Sequence, residues 1–508
     1  MAARYVTELV GALERYGDRA AIGAGPRVLG FAEVLDAVHR LAGALAEAGV
    51  GRGTGLACVT GGNRPEALLV RIAAHLLGAR LTQVVTGPAV HGLEFVLRDC
   101  LPGLVVHDVP VPATGVPLLG LEELIARAAG REPGEVPVRA REEDVARVTY
   151  TGGTTGRPKG VASTFGAMAA RDVRRGAEWT GAVHLSVTSL AQRAGGRCLE
   201  QLRAGGRVEI LDPFTPQEFA RACRRLGRVS TYLTAPMVYR LLDHPATAGG
   251  IPGLEAVSYG ASPILPERLH EAVTRWGGRW RQGYGMNEAA VISRLTPADH
   301  DAAVSGRPAL LASVGRPAAG VEVQVRDEGE AVLPAGRTGE LWIRSAAMMT
   351  GYWNQPSLTA DVLRDGWLRT GDLGHVDDDG YLYLDDRIKD VVIVDGVNIY
   401  GLPVEAALAR HPAVAQAVVV GRPSATTGEE VCAFLVPAPG HIPSRAAAAG
   451  ACELVARELA PAHSPTAVFW EREIPLTDRG KPDKRRLRAR AASEAEPSHP
   501  DPPPTPGP

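Results

Sequence analysis

The chain has 508 residues, 45% of them hydrophobic and 22% charged, with a formal charge of −2, which supplies enough apolar chain for two or more domains with buried cores. Its 55 Lys and Arg are scattered through a near-neutral sequence, which argues against a phosphate-tracking stripe and so against nucleic acid. The six cysteines (Cys58, Cys100, Cys198, Cys223, Cys432, Cys452) have no paired spacing, which argues against a zinc site or a disulfide framework.

The N-terminus carries spaced charges and no apolar core of signal-peptide type, and the longest apolar stretch, Ala67 to Gly78, is broken by Arg71 and His75. The sequence therefore predicts a cytoplasmic protein without a membrane partner. Val34, Leu35, Val38, Leu41, Ala42 and Leu45 recur at helical spacing, and the run Leu56 to Val59 reads as a buried strand. The alternation continues with a helix over Pro65 to Leu77, strands at Leu104 to His107 and Arg207 to Leu211, a helix over Pro216 to Leu226 and a strand at Val229 to Leu233, which implies parallel α/β sheets. From about 310 to 385 the segments Val321 to Val325, Glu340 to Arg344 and Tyr381 to Leu384 follow one another without helices, as in an antiparallel, barrel-like section. A strand at Val391 to Val394, a helix over Pro403 to Arg410, strands at Ala417 to Val420 and Val431 to Val436, and a helix near Glu453 to Leu459 predict a small α+β domain. The expected division is 1–385 as a large N-terminal domain, 386–390 as a hinge, 391–490 as a small C-terminal domain and 491–508 as a disordered Pro-rich tail.

Only four of the 55 basic residues are lysines: Lys159, Lys389, Lys481 and Lys484. Arg and Lys are interchangeable on a solvated surface, but a compact point charge between reacting oxygens needs Lys. Lys159 closes Tyr150-Thr-Gly-Gly-Thr-Thr-Gly-Arg-Pro-Lys-Gly160, which follows a strand-like stretch, Ala146 to Thr149, and precedes a helix-compatible run. Its glycines let successive N–H groups turn toward phosphate oxygens, while Thr154 and Thr155 add hydroxyls and Lys159 adds charge. The Lys spacing is not that of a Walker P-loop.

This segment resembles the signature loop of the acyl-adenylate-forming superfamily: acyl-CoA synthetases, peptide-synthetase adenylation domains and luciferases. The likeness continues in the family's order over roughly residues 5 to 490. It implies a two-domain α/β fold and an ATP-binding set of Thr151, Gly152, Gly153, Thr154, Thr155, Gly156 and Lys159. Ser258-Tyr-Gly-Ala-Ser262 resembles the turn whose backbone lies against adenine, through Gly260, Ala261 and Ser262. In Gly283-Tyr-Gly-Met-Asn-Glu288 the resemblance implies that Tyr284 stacks on adenine, that Gly285 and Asn287 lie at the α-phosphate and that Glu288 helps hold Mg²⁺. Arg369-Thr-Gly-Asp-Leu-Gly374 implies Asp372 on the ribose hydroxyls, and Asp386-Arg-Ile-Lys-Asp390 implies Arg387 near the ribose or phosphates with Lys389 as the hinge about which the small domain turns. Lys481, in Pro475-Leu-Thr-Asp-Arg-Gly-Lys481, is implied as the catalytic cation between the acid's carboxylate and ATP, where it offsets the repulsion of two anions. Lys484 reads as an ordinary surface lysine.

The pattern departs at Gly152 (usually Ser), Asn287 (Thr), Asp386 (Gly), and Gly401 and Pro403 (Pro and Glu). An Asn amide still donates a hydrogen bond, and Pro403 suits a helix start. The acyl-pocket position falls on Gln192 with Arg193 beside it, and no acidic residue occurs between Trp179 and Leu199, which disfavours an α-amino acid. The pair leaves open a hydroxylated aryl ring, a second anion, or a solvent-facing Arg193. His184 reads as a structural histidine. The resemblance implies ATP-dependent adenylation of an aryl or medium acyl carboxylic acid, then transfer to the thiol of CoA or of an acyl carrier protein. The rivals are direct transfer to an amine, which includes activation of nitrite for an arylamine, and a nucleotide-binding regulator without catalysis.

Overall fold

The computed structural model describes residues 1–86, 92–113, 115–151, 158–171, 181–424, 426–477 and 480–493. The strands Gly55–Thr60, Arg80–Val85 and Leu104–His107 pair in parallel at the centre of a seven-stranded sheet. Gly55–Thr60 is buried along its whole length, as a strand covered on both faces must be. The second sheet has nine strands, with Val183–Ser186, Val208–Ile210, Val229–Thr234, Leu254–Gly260 and Arg279–Met286 in parallel. One core joins the two: Leu56 and Val106 of the first sheet and Ile22 and Val208 of the second pack with Val38, Leu68, Ile72, Leu199 and Leu202 of the intervening helices.

The third sheet is antiparallel, as predicted, and joins Val321–Arg326, Gly339–Ser345, Trp367–Val376 and Leu382–Arg387, but the stretch is not helix-free, since the short helix Pro356–Val362 lies within it. In the small domain Val414–Ser424 and Gly428–Pro437 form the central hairpin, with Ala467–Trp470 added in parallel. Alternate residues serve opposite faces: Val419, Ala433 and Leu435 pack under the helices Gly401–Ala409 and Arg445–Glu458, while Val418, Val420 and Phe434 pack with Leu487 and Ala491 of the helix Lys484–Ser493.

Three local expectations are corrected. Residues 159–164 form a strand before the short helix Phe165–Ala169, because Lys159 to Thr164 pairs antiparallel with Val145–Thr151. Pro403 is not the first helical residue: the helix begins at Gly401 and accepts Pro403 in its first turn, where no N–H partner is needed. Residues 491–493, expected within the tail, close the last helix, with Ala491 1% exposed; residues 494–508 lie outside the described residues.

Candidate active site

The Gly/Thr loop bridges the antiparallel strands Val145–Thr151 and Lys159–Thr164, which place Thr151 opposite Lys159. Gly152, Gly153, Thr154, Thr155 and Gly156 lie outside the described residues. The Lys159 Nζ stands 5.3 Å from the ring centre of Tyr352, and the Tyr352 hydroxyl donates to Glu288 Oε1 at 3.1 Å. Tyr352 thus links the loop lysine to a carboxylate only 7% exposed. Tyr352 is a site residue that sequence reasoning missed; the adjacent aromatic pair in Gly351-Tyr-Trp-Asn354 was the available signal.

The strand Leu254–Gly260 ends against Arg279–Met286, and no side chain could enter there: a Cβ on Gly260 would fall 2.5 Å from the Gly283 carbonyl oxygen, and one on Gly285 would fall 2.0 Å from that of Ala290. Ala261 follows in the left-handed region, φ 70°, at a cost of about 1–2 kcal/mol. The buried Ser262 hydroxyl has no hydrogen-bond partner among the described residues. Tyr284 donates to Asp372 Oδ2 at 2.6 Å, and Asp372 Oδ1 pairs with Arg387 Nε at 2.9 Å. Burial, with the Asp372 carboxylate adding to it, holds the Tyr284 hydroxyl well above its usual range, so it stays a donor. Asn287 lies half-buried in the turn that follows.

The small domain brings its own turn to this place. Thr477 N donates to the Lys481 carbonyl at 2.7 Å, Lys481 N donates to Thr477 Oγ1 at 3.3 Å, and Gly480 takes φ 69°. A Cβ on Gly480 would lie 4.0 Å from Thr234 Oγ1, and Thr234 is in register with Gly260. The Lys481 turn is therefore docked over the sheet end that carries Gly260 and Tyr284. Lys389 lies exposed in the 3-10 turn Ile388–Asp390.

Lys484 is not a surface lysine. Its side chain is 18% exposed and its Nζ lies 3.1 Å from Glu405 Oε1; burial opposes its charge, but Glu405, Asp386 and Asp390 outweigh it and hold the ammonium above its usual pKa. Asp386 accepts the backbone N–H groups of Arg387 at 2.7 Å and of Gly401 at 2.6 Å. The two departures here compensate each other, because a Pro at 401 would have no N–H to give.

Gln192 occupies the N-cap position of the helix Arg193–Arg203. Arg193 is half-buried, with Nη2 3.6 Å from a Cβ built on Gly283, so it faces the strand beside Tyr284. His184 is buried, and burial and Arg197 lower it to about 3, in keeping with a structural histidine. Of the cysteines, five are buried, and burial pushes Cys58 up to about 12, where a thiol is inert.

Among the described residues no group of three or more His, Cys, Asp or Glu is placed to hold a metal. An ion such as Mg²⁺ is held by one or two carboxylates plus substrate phosphates; the buried Glu288, joined to Lys159 through Tyr352, offers such a carboxylate. The closed backbone at Gly260 and Gly285, the unpartnered Ser262 hydroxyl and the buried Asp372 fit a nucleotide. This fold and these surfaces define an ATP-dependent, adenylate-forming enzyme.

The comparisons agree. Residues 10–353 match the family "AMP-binding enzyme" and residues 403–481 match "AMP-binding enzyme C-terminal domain". The chain is 33% identical, over 95% of its length and 89% of the relative's, to the medium/long-chain-fatty-acid–CoA ligase FadD8 of Mycobacterium tuberculosis. Among solved structures it is similar to the amide bond synthetase McbA from Marinactinospora thermotolerans, with TM-score 0.83 and 32% identity over 96% of this chain and 100% of that one. It is also similar to o-succinylbenzoate CoA synthetase (MenE) from Bacillus subtilis in complex with ATP and magnesium, with TM-score 0.81 and 26% identity over 94% and 98%. The chain belongs to the AMP-binding enzyme family, within the acyl-adenylate-forming superfamily. It carries out ATP- and Mg²⁺-dependent adenylation of a small-molecule carboxylic acid, and AMP-forming acid–thiol ligase activity is consistent with its relatives. No helix among the described residues is long and apolar enough to cross a membrane.

Proposed function

We propose that the enzyme activates an aryl or medium acyl acid and passes the acyl group to the thiol of CoA or of an acyl carrier protein. One oxygen of the acid's carboxylate attacks the α-phosphorus of ATP, a P–O bond to the β-phosphate breaks, and pyrophosphate leaves. The thiolate then attacks the acyl carbon, releasing AMP. Lys481 offsets the repulsion of the two anions as charge shifts in the transition state. Lys159 and residues 151–156 hold phosphates, Tyr284 and the Gly260–Ser262 turn hold adenine, and Asp372 with Arg387 holds the ribose. When bound, Mg²⁺ offsets phosphate charge and orients the α-phosphate; Glu288 would hold it together with the nucleotide. Lys389 would be the pivot about which the small domain turns from the first step to the second, and the cytoplasm is the proposed compartment.

The observation that carries this reading is the approach of the Lys481 turn to Thr234, next to Gly260, because only that approach joins the small domain's cation to the nucleotide surface. Mass spectrometry of mixtures with ATP, Mg²⁺ and a panel of aryl and aliphatic acids, then with CoA, tests it: an acyl-adenylate that becomes a thioester is expected. In Lys481→Ala the adenylate should fall by about 10²–10³-fold.

The second reading is transfer to an amine. It is favoured by the full-length likeness to an amide bond synthetase and by the altered helix start at Gly401 and Pro403. An amide formed in preference to thioester, or product only from nitrite and an arylamine, would replace the thiol acceptor.

A further inference from the structure

The helix Arg193–Arg203 carries Arg193 and Arg197 one turn apart, so both project from one face, about 6 Å apart along the axis. That face looks at the nucleotide-bearing sheet. Arg193 Nη2 approaches Gly283, and the Arg197 guanidinium lies 4.6 Å over the ring of Tyr232. The Tyr232 hydroxyl in turn lies 3.5 Å from a Cβ built on Gly260. A path thus runs from the adenine turn past Tyr232 to Arg197.

Behind this face stand more guanidinium groups. Arg71 is 2% exposed; among the described residues its Nε and Nη2 have no partner, and Nη1 reaches Gln83 Oε1 at 3.5 Å. A Cβ on Gly195 would fall 2.6 Å from Arg71 Nη1, so glycine is what lets the helix close over it. Among the described residues Arg147, 8% exposed, has no partner for Nε, and Arg171 has none for Nε and Nη2. None of these five arginines forms an ion pair with a described carboxylate, although Glu200 lies close enough for Arg171 and Arg197 to feel its charge. Burial first, with neighbouring charges in play, lowers Arg171 and Arg197 to about 10, which leaves both charged at neutral pH. Among the described residues these buried cations have no carboxylate at contact distance, an arrangement that is costly unless an anion joins them.

We propose that the acid carries a second anionic group at its far end, and that Arg193 and Arg197 hold it as a distal carboxylate: the enzyme activates a dicarboxylic acid. Paired guanidinium forks suit a carboxylate, and Arg71, Arg147 and Arg171 deepen the positive field behind them. A long fatty chain would meet this charge with nothing to offer it. The proposal rests on the adenylation reading and names the class of acid for that site.

Pyrophosphate release, measured with size-matched pairs (adipate against hexanoate, terephthalate against 4-methylbenzoate), tests it on the full chain with ATP and Mg²⁺. Within at least one pair the diacid should exceed the monoacid in kcat/KM by at least about tenfold, since a site built for a polar group rejects an analogue lacking it. Arg197→Gln should collapse that ratio mainly through KM, and Arg197→Lys should restore part of it. Equal values within each pair, or a loss in Arg197→Gln that falls equally on diacid and monoacid, would overturn the inference and leave adenylation standing. No pyrophosphate release with any acid would overturn both.

Discussion

The cluster around Lys484 and the floor beneath the Arg193–Arg203 helix both bury charge, with opposite composition. In the cluster Lys484 and Arg488 face Glu405, Asp386 and Asp390 at contact distance or within reach of their fields, and Asp386 also takes two backbone N–H groups. Under the helix, Arg71, Arg147 and Arg171 keep nitrogens that have no partner among the described residues. A closed set of partners holds structure; an open set of one sign is shaped for something that arrives. Removing a member should therefore do opposite things in the two places.

The largest effect is expected in the Lys484 cluster. Lys484→Met strands Glu405 and Asp386 in a buried setting and should destabilise the protein by about 3–5 kcal/mol in denaturant unfolding. A smaller value would mean that the charges around Lys484 are solvated and the contrast is not real. His300 sharpens the comparison as a buried group kept neutral: it is 1% exposed, approaches the Thr296 carbonyl through Nδ1 at 2.7 Å and the Tyr259 hydroxyl through Nε2 at 2.9 Å, and burial lowers it to about 4. Between that value and about 6.5 the unfolded chain holds the extra proton. Stability should thus fall as pH is lowered through the window, by up to about 3 kcal/mol, and His300→Gln should lessen the slope.

Gly401→Pro is a finer cut, since the first helical position tolerates Pro but the N–H to Asp386 is lost. A loss of about 1–3 kcal/mol is expected, recovered in part when Asp386→Gly is added; additive losses would show that the two positions are uncoupled. The smallest effect is expected for Arg71→Met, which removes a buried cation without a carboxylate partner and should change stability by less than about 1 kcal/mol in either direction. A loss as large as that of Lys484→Met would place Arg71 in a structural network.

Much of this was legible in the sequence. Strands such as Leu56 to Val59 and helices such as Pro65 to Leu77 announce themselves by period and by Pro at the first helical position, and the Gly/Thr loop and Lys481 by motif. What stayed hidden depends on packing between distant segments. The helix Lys484–Ser493 is rich in Arg and buries only Leu487 and Ala491, too narrow an apolar stripe for periodicity to detect. Arg71 looked like an interruption in an apolar run, yet it is among the most buried side chains, and no local pattern tells a buried arginine from an exposed one. Tyr352 joins Lys159 to Glu288 across 193 and 64 positions of chain respectively, a convergence that only the folded sheet creates.

The central claim is that the unbalanced arginines are a substrate site. Its most direct measurement is a crystal structure with a non-hydrolysable acyl-adenylate analogue of a dicarboxylic acid accepted by the enzyme. The account expects the distal carboxylate within hydrogen-bond distance of Arg193 or Arg197, with the adenine of AMP against Tyr284 and its ribose against Asp372. A distal group turned to another wall, with both guanidinium groups paired to protein carboxylates, would contradict it.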